Sequence, residues 1–497
     1  MTDGDTNGHP SPSPGPGHPG TGQPRTRAAN LLAQRRTRLL IAAALLVLAL
    51  GIRVATVEHY HFKPVYDGRS YLSLSGQIAK TGDYWSTDRG AGGTHGPTAY
   101  FPPAYPYFLA AAEVIDGNAH KSKSPANVHV VRIEQAVLGT ITVALVGLVA
   151  LELFGSTVAL IALGLAAIYP VLVELSTVVV AENLLVAFVL AAIYAALRVR
   201  TARRPTRWVV AAGVFTGLAA LTHTNGLVLV IPMVVAMWNL RHASQPPAWA
   251  ERHRWTAPLL LVLVSLVTVT PWLIRDAVAL HTFVPISDEA GITLAGTYNA
   301  TTAHESNPPW RWRFFASSPS LRRQVGHQRT MTEPELSSRL ESVTLHYIGH
   351  HPFTPVQVGF DNTLRLLELE GTRAQRISDA SIGLTYGEAR IGVYAFWLLL
   401  ILAIAGLFTR AVRSVPRWLW LVPLLFWLSV VLVNSETPRF REPLEPFLIL
   451  SAACPLAALA RRVSTALSAR PALAGVSAHP AHAGGTVTPA EKDPAPS

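Results

Sequence analysis

The sequence predicts an all-α polytopic membrane protein with about ten transmembrane helices. Hydrophobic residues make up 50% of the 497-residue chain, whereas charged residues make up only 14%. The apolar residues are grouped in blocks of about 17–22 residues, the length that crosses a ~30 Å hydrocarbon core as a helix. Because these blocks are rich in Ala, Leu and Val, helices that satisfy their own backbone hydrogen bonds are favoured over a barrel.

The distribution of arginine supports this number of spans. The first apolar block covers Leu39 to about Val57, and we interpret it as an uncleaved anchor because its leader is too long for an ordinary secretory signal. The other blocks are residues 131–151, 157–174, 176–197, 208–222, 225–240, 256–275, 391–410, 418–434 and 443–460. With a cytoplasmic N-terminus, most of the internal connections carry arginine clusters, as the positive-inside rule requires. We therefore expect a multi-pass protein of the cell membrane with both termini in the cytoplasm.

Composition divides the chain into one transmembrane domain and two tails. Residues 1–37 and 463–497 are rich in small and polar residues and proline, so we predict disordered cytoplasmic tails around a domain of residues 38–462. Two external loops, about 58–130 and 276–390, should carry short interfacial helices. The apolar segment 103–115 is too short to span the membrane, and it is either interfacial or re-entrant.

The net charge of +11 and the isoelectric point near 10.0 do not indicate a nucleic-acid partner. The arginines lie in short connections between apolar blocks, where membrane topology accounts for them. The single cysteine, Cys454, lies inside an apolar block. No intrachain disulfide is therefore possible, and a small core residue is favoured over a thiol nucleophile.

Ionisable side chains crowd the predicted outer ends of the spans. They include Asp67 after the first span, Glu182 in the fourth, Asn225 in an outer turn, Arg275 after the seventh, and Arg439 and Arg441 before the last. Such groups are costly within a membrane and usually face a cavity. A secondary transporter would instead place its sites near the midplane, so an enzyme acting on an amphiphilic substrate is favoured.

The residue types suit a polyprenyl-phosphate sugar. Arg275, Arg439 and Arg441 are the candidate phosphate contacts, because arginine binds phosphate through two parallel hydrogen bonds. Asp67 is the candidate base that accepts the proton of the attacked hydroxyl. Structural alternatives stay open: Asp67 before Gly68 could form only a turn, and the arginines could be interfacial residues that extend to the headgroups.

The chain resembles bacterial GT-C glycosyltransferases, the superfamily of protein O-mannosyltransferases and lipid A aminoarabinose transferases, and especially actinobacterial mannosyltransferase-like members. The resemblance is carried by Asp67 with Ser70-Tyr71, Phe101-Pro102-Pro103-Ala104-Tyr105-Pro106, Arg132 with Gln135, Ala181-Glu182-Asn183, Leu221-Thr222-His223 with Asn225-Gly226, Pro271-Trp272-Leu273-Ile274-Arg275-Asp276 and Arg439-Phe440-Arg441-Glu442-Pro443. It implies a GT-C-like architecture, a polyprenyl-phosphate donor, inversion at the anomeric carbon and Asp67 as the base. Two positions depart from it, since Gly68 replaces a second acid and His223 replaces an arginine.

We therefore predict a hexosyl- or pentosyltransferase of the cell envelope, with an active site facing outward. Asp67 is the predicted catalytic residue, and the predicted substrate-binding residues are Tyr71, Glu182, Asn225, Arg275, Arg439 and Arg441. An envelope lipid or glycan is favoured as acceptor over a protein, since no soluble external insertion is present. We assign no metal ligand, and Gly68 leaves only weak support for a divalent cation. The alternatives are a transporter or flippase of lipid-linked glycans and a non-catalytic membrane scaffold.

Overall fold

The computed structural model describes residues 23–60, 62–86, 96–117, 127–242, 255–304, 308–326, 331–435 and 438–474. The first half of the chain forms α1 Gln23–His59, α2 Tyr66–Thr81, β1 Trp85–Ser86, β2 Gly96–Pro97, α3 Ala104–Ile115, α4 Val128–Phe154, α5 Ser156–Ile168, α6 Pro170–Leu175, α7 Glu182–Val199, α8 Pro205–Thr222 and α9 Val230–Trp238. The second half forms α10 Thr256–Leu280, α11 Glu289–Thr297, α12 Ala300–Ala303, α13 Pro319–Val325, α14 Glu333–His350, α15 Thr354–Leu366, α16 Thr372–Ser381, α17 Tyr386–Leu407, α18 Arg410–Arg413, α19 Arg417–Val431 and α20 Glu445–Ala474. In the part of the chain that the structure describes there are also four 3₁₀ helices, at Thr224–Leu229, Asn239–His242, Phe315–Ser317 and Arg439–Leu444.

The predicted all-α polytopic fold is confirmed. Among the described residues, six helices are long and apolar enough to cross a membrane: Leu32–His59, Val128–Phe154, Glu182–Val199, Thr256–Leu280, Ala389–Leu407 and Arg439–Ala466. The other four predicted spans, 157–174, 208–222, 225–240 and 418–434, coincide with helices that do not meet both the length and the apolarity of these six. The predicted span 157–174 is interrupted at Tyr169, whose backbone is extended, because a residue before proline avoids the helical region.

The segment before α7 differs from the sequence prediction. A span was expected from residue 176, but the helix begins only at Glu182. The hydroxyl groups of Ser176 and Thr177 donate to the carbonyl oxygens of Val173 and Glu174, and such local bonds compete with helix formation. Glu182 therefore lies in the first turn of α7 rather than inside a helix that begins at residue 176.

The ends of the transmembrane domain extend beyond the predicted boundaries. α1 begins at Gln23, and α20 continues to Ala474, so residues 23–37 and 463–474 are helical where tails were predicted. Ala, Leu, Arg and Gln dominate the first of these segments, and they are strong helix formers. The remaining parts of the two predicted tails, residues 1–22 and 475–497, lie outside the described residues.

The membrane helices pack closely around α7, whose apolar stretch is 83% buried. Small residues allow this approach: a Cβ atom at Gly213 of α8 would lie 2.9 Å from the carbonyl oxygen of Leu261 on α10. Close backbone contact at small residues is how helices associate where both faces are apolar. The bundle thus holds α7 in place, with Glu182 in its first turn.

The two long loops that the sequence predicted to be external are tied to one another by hydrogen bonds. The carboxylate of Glu333, in the first turn of α14, accepts from the Thr98 hydroxyl at 2.8 and 2.9 Å and from the Ala99 amide at 2.7 Å. The Asp288 amide donates to the Ala99 carbonyl oxygen at 3.1 Å. The first external loop is therefore attached directly to the residues that begin α11 and α14.

Both predicted interfacial regions contain helices. α15 leaves Val356 and Phe360 64–69% exposed, and an exposed apolar face is what an interfacial helix requires. The 103–115 segment is α3, which buries Tyr105, Leu109 and Ala112 against its neighbours. Whether α3 is interfacial or re-entrant stays a prediction.

Candidate active site

A chain of ion pairs joins three distant parts of the sequence. The guanidinium of Arg439 donates from Nη2 to Oδ2 of Asp67 at 2.8 Å and from Nε to Oε1 of Glu182 at 2.9 Å. One cation is therefore shared by two carboxylates. The structure brings together three of the residues that the sequence singled out.

Two helix N-termini position the carboxylates. Asp67 lies in the first turn of α2, and Glu182 lies in the first turn of α7. The unpaired backbone N–H groups and the macrodipole at a helix N-terminus favour a negative side chain. Each carboxylate is thereby stabilised by its own helix, in addition to the shared arginine.

Exposure decreases along the ion chain. The side chain of Asp67 is 35% exposed, that of Arg439 is 8% exposed and that of Glu182 is 2% exposed. The Arg439 guanidinium also lies 4.4 Å from the centre of the Phe440 ring, a cation–π contact. The cluster thus has one end that a molecule from outside can reach, which is Asp67, and one buried end, which is Glu182.

Gly68 allows the two helix ends to approach. A Cβ atom at this position would lie 3.1 Å from the carbonyl oxygen of Val179, in the non-helical segment before α7. A larger residue would have to displace that backbone. The departure from the family pattern at Gly68 therefore coincides with a close contact between α2 and the segment that leads to Glu182.

His223 and Asn225 lie beside the buried end. The Nε2 atom of His223 is 3.9 Å from Oε1 of Glu182, and its Nδ1 atom accepts a hydrogen bond from the Asn225 amide at 3.3 Å. Asn225 thus acts here through its backbone, and a contact of its side chain with substrate stays a prediction. His223, which the sequence marked only as a departure, belongs to the cluster.

Tyr71 forms a wall next to Asp67, one turn further along α2. Its ring packs on Phe101 and Tyr105, with ring centres 4.3 and 4.8 Å apart, and it is 4% exposed. The proline-rich run of the first loop thereby supports α2. A direct contact of Tyr71 with substrate stays a prediction.

Glu289 is a member of the site that the sequence did not indicate. It lies in the first turn of α11, and its pKa is raised to about 8 by burial and by the negative charge of Asp67. The loop after α10 therefore contributes an acid whose charge interacts with the ion chain. No motif marks this residue, because its proximity to Asp67 depends on contacts between the two loops.

Arg275 makes its contacts within the loops. It donates to the carbonyl oxygens of Thr98 at 2.7 Å and Tyr84 at 2.6 Å, and to Asp276 at 2.8 Å. These bonds attach the end of α10 to the first loop. The predicted role of Arg275 as a phosphate contact is untested, and its observed contacts are structural.

Arg441 belongs to a second buried network. It donates to Glu445 at 2.6 Å, to Glu368 at 3.0 Å and to the carbonyl oxygen of Leu366 at 2.8 Å. Its guanidinium also lies over the Phe396 ring. These bonds hold α20 against the end of α15, and the predicted phosphate contact of Arg441 likewise stays untested.

The acids of the cluster do not fit a metal site as they are arranged. Asp67 and Glu182 are both bonded to the guanidinium of Arg439, and Gly68 supplies no further ligand. Within the described ranges, no group of three or more His, Cys, Asp or Glu side chains could hold a metal ion.

Fold and site together define a multi-pass membrane protein with an ion-paired acid cluster at the ends of its helices. A family model described as dolichyl-phosphate-mannose-protein mannosyltransferase matches residues 101–274, about a third of the chain. No curated protein matches the sequence.

Solved structures share the fold. The oligosaccharyltransferase AglB of Archaeoglobus fulgidus, in complex with an inhibitory peptide and a dolichol-phosphate, aligns at a TM-score of 0.53 and 14% identity over 90% of this chain and 53% of that one. The apo form gives a TM-score of 0.53 and 15% identity over 88% and 52%. ArnT from Cupriavidus metallidurans bound to undecaprenyl phosphate aligns at 15% identity over 88% and 80%, with a TM-score of 0.39 that is too low to support an argument.

The chain spans about half the length of the archaeal oligosaccharyltransferase structures. Identities near 15% establish similarity of fold only. The chain thus shares the fold of the archaeal oligosaccharyltransferase, and its residues 101–274 match the mannosyltransferase family model.

Proposed function

We propose that the protein transfers a sugar from a polyprenyl-phosphate donor to an extracytoplasmic lipid or glycan acceptor. The observation that carries this proposal is the ion chain of Asp67, Arg439 and Glu182. It combines a partly exposed carboxylate, which can take a proton, with an arginine of the type that binds phosphate. The family model and the dolichol-phosphate complex of the archaeal neighbour support a lipid-phosphate donor.

Asp67 is the base in this scheme. It is the most exposed member of the ion chain, so the acceptor hydroxyl can approach it from outside. As the acceptor oxygen bonds to the anomeric carbon, its proton passes to Asp67 and the bond from that carbon to the phosphate oxygen breaks. The polyprenyl phosphate leaves with the electron pair, and a single displacement of this kind inverts the anomeric carbon.

Arg439 connects donor binding to this step. In the cluster it is bonded to both carboxylates, and a phosphate would compete with Asp67 for the guanidinium. Donor binding would thereby release Asp67 from its ion pair and leave it available as a base. Burial strengthens the attraction between Arg439 and an anionic donor, because the surrounding dielectric is low.

The arginine distribution of the sequence supports an active site facing outward, with both termini in the cytoplasm. Asp67 and the start of α2 directly follow the first span, so they lie on the side opposite to the N-terminus. The donor would then present its headgroup at the outer leaflet, with its polyprenyl chain in lipid.

A donor-consumption assay tests the proposal. Purified full-length protein in lipid nanodiscs is incubated with polyprenyl phosphates carrying mannose, glucose, galactose or arabinose, together with an envelope lipid extract. We expect release of free polyprenyl phosphate from one of these donors, and loss of that release in Asp67→Asn. Asp83→Asn is the matched control, because Asp83 is an exposed acid of the same loop. A wild-type protein that leaves every donor intact would contradict the transferase and favour a transporter.

A further inference from the structure

The turn after α8 fixes the His223 ring in one tautomer. The backbone N–H of Asn225 donates to Nδ1 of His223 at 3.3 Å, so a neutral ring carries its hydrogen on Nε2. Burial lowers the pKa of His223, and the charge of Arg439 lowers it further, whereas Glu182 and Asp67 oppose this shift. The net shift is downward, and the ring presents an Nε2–H donor.

The Nε2–H group of His223 lies near the Glu182 carboxylate but does not reach it. The distance of 3.9 Å from Nε2 to Oε1 of Glu182 is too long for a hydrogen bond, and Oε1 already accepts from Arg439. The other oxygen, Oε2, is buried and has no hydrogen-bond partner among the described residues. A buried acceptor without a partner is costly, so this one requires an explanation.

A hydroxyl group could form hydrogen bonds with both Nε2 of His223 and Oε2 of Glu182. It accepts from an N–H donor through a lone pair, and it donates its own hydrogen to a carboxylate oxygen. A phosphate oxygen would repel Glu182, and a carbonyl oxygen has no hydrogen to give. The pair therefore has the chemistry of a hydroxyl-binding site.

We propose that His223 and Glu182 together bind one hydroxyl of the sugar carried by the lipid phosphate, and thereby select the donor. This inference rests on the proposed transferase function and names the substrate group that the buried end of the site takes.

The exposure of the site assigns this hydroxyl to the donor rather than to the acceptor. His223 and Glu182 have side chains that are 12% and 2% exposed, whereas Asp67 is 35% exposed. Arg439 lies between the two ends, because it is bonded to both carboxylates. A donor whose phosphate contacts Arg439 places its sugar beside the buried pair, and the acceptor then enters at Asp67.

The test compares monodeoxy analogues of the donor sugar that the wild-type protein consumes. Each analogue lacks one ring hydroxyl, and its kcat/KM relative to the parent donor is measured for wild type, His223→Ala, His223→Gln and His223→Asn. Because each ratio compares the same two substrates, differences in intrinsic reactivity cancel between variants. Size-exclusion profiles and melting temperatures confirm that each variant is folded.

We expect one analogue to lose about tenfold or more in kcat/KM with wild type, the loss for a hydrogen-bonded hydroxyl at a charged site. That penalty should disappear in His223→Ala and in His223→Asn. It should persist in His223→Gln, whose amide nitrogen takes the place of Nε2. The glutamine variant also keeps the test decisive if the alanine variant is unstable.

Four results would overturn the inference. Equal penalties in all four proteins would mean that groups other than His223 bind the hydroxyl, and the absence of a penalty for every analogue would mean that the pair binds no donor hydroxyl. Sensitivity to His223 that appears with monodeoxy octyl glycoside acceptors, and not with donors, would assign the hydroxyl to the acceptor. Failure of the wild type to consume any donor would contradict the proposed transferase function. That result is distinct from an active enzyme whose donor selection does not depend on His223.

Discussion

The Arg439 guanidinium bonds Asp67 at 2.8 Å across 372 residues of sequence. The same guanidinium also donates to Glu182, so the two carboxylates share one cation. This arrangement makes Arg439 both a structural bridge and the cation that an anionic donor would have to capture. The two roles have separate experimental consequences.

Replacing Arg439 by glutamine should damage both stability and turnover. The substitution leaves Glu182 buried without its cation, and breaking such a buried pair costs about 3–5 kcal/mol of unfolding free energy. Donor consumption should fall at least as far as in Asp67→Asn. Thermal unfolding in detergent and the polyprenyl-phosphate release assay measure the two effects.

A double variant separates the effect of Arg439 on stability from its effect on turnover. If Arg439 mainly compensates the carboxylates, Arg439→Gln combined with Glu182→Gln should be more stable than Arg439→Gln alone, with a coupling of about 0.5–3 kcal/mol. A double variant whose destabilisation is the sum of the two single changes would contradict the shared ion pair.

The sequence singled out the three residues of the ion chain for a physical reason. Charged groups at membrane depth are rare because they are costly, so Asp67, Glu182 and Arg439 stood out against apolar surroundings. Their polar character at the ends of spans placed them on one face. The pairing itself could not be deduced, since equally plausible partners for Arg439 were present on several helices.

The remaining parts of the site required the fold. Glu333 bonds Thr98 across 235 residues, and this bond joins the two long loops that carry Asp67 and Glu289. Arg275 and Arg441 have the same residue type and the same outer position as Arg439, but their partners are mainly groups of the loops and of α20. Residue type and depth do not distinguish a guanidinium that faces a ligand from one that binds carbonyl oxygens.

Substituting Arg441 by methionine should destabilise the protein without changing the activity of the molecules that remain folded. The change leaves Glu445 and Glu368 without their cation, and we expect a loss of about 3–5 kcal/mol of unfolding free energy. Arg410→Met is the matched control, because Arg410 is exposed. An Arg441→Met protein of normal stability that no longer consumes donor would instead identify Arg441 as the phosphate contact predicted from the sequence.

Gly226 should not tolerate a side chain. A Cβ atom at this position would overlap the backbone carbonyl of Ala219 at the end of α8, so alanine must push the turn that carries His223 away from the helix. We expect a lower melting temperature, corresponding to about 1–3 kcal/mol of strain. Gly349→Ala is the control, since no atom lies within 4 Å of its added Cβ, and it should be neutral or slightly stabilising. Equal melting temperatures for the two variants would contradict the close packing of this turn.

Stability should decrease as the pH rises, because of Asp288 beside the active site. Its carboxyl is buried next to Glu333, and these surroundings raise its pKa to about 9. The Arg275 cation and the Asp276 carboxylate are the other charged groups near this pair. Neither oxygen of Asp288 has another hydrogen-bond partner among the described residues, so a proton on Asp288 supplies the bond to Glu333.

The fall in stability with rising pH follows from the number of protons that each state binds. An unfolded aspartate has a pKa of about 3.9, so between about pH 4 and 9 the native state binds the additional proton and its stability falls with rising pH. The contribution is complete below the unfolded pKa and is lost as the pH passes through about 9. Melting temperatures from pH 5 to 10 should therefore fall for wild type and fall less steeply for Asp288→Asn, which keeps an N–H donor toward Glu333 at every pH. Asp83→Asn, at an exposed acid of the first loop, should follow the wild-type curve, and a wild-type protein that gains stability over this range would refute the protonated pair.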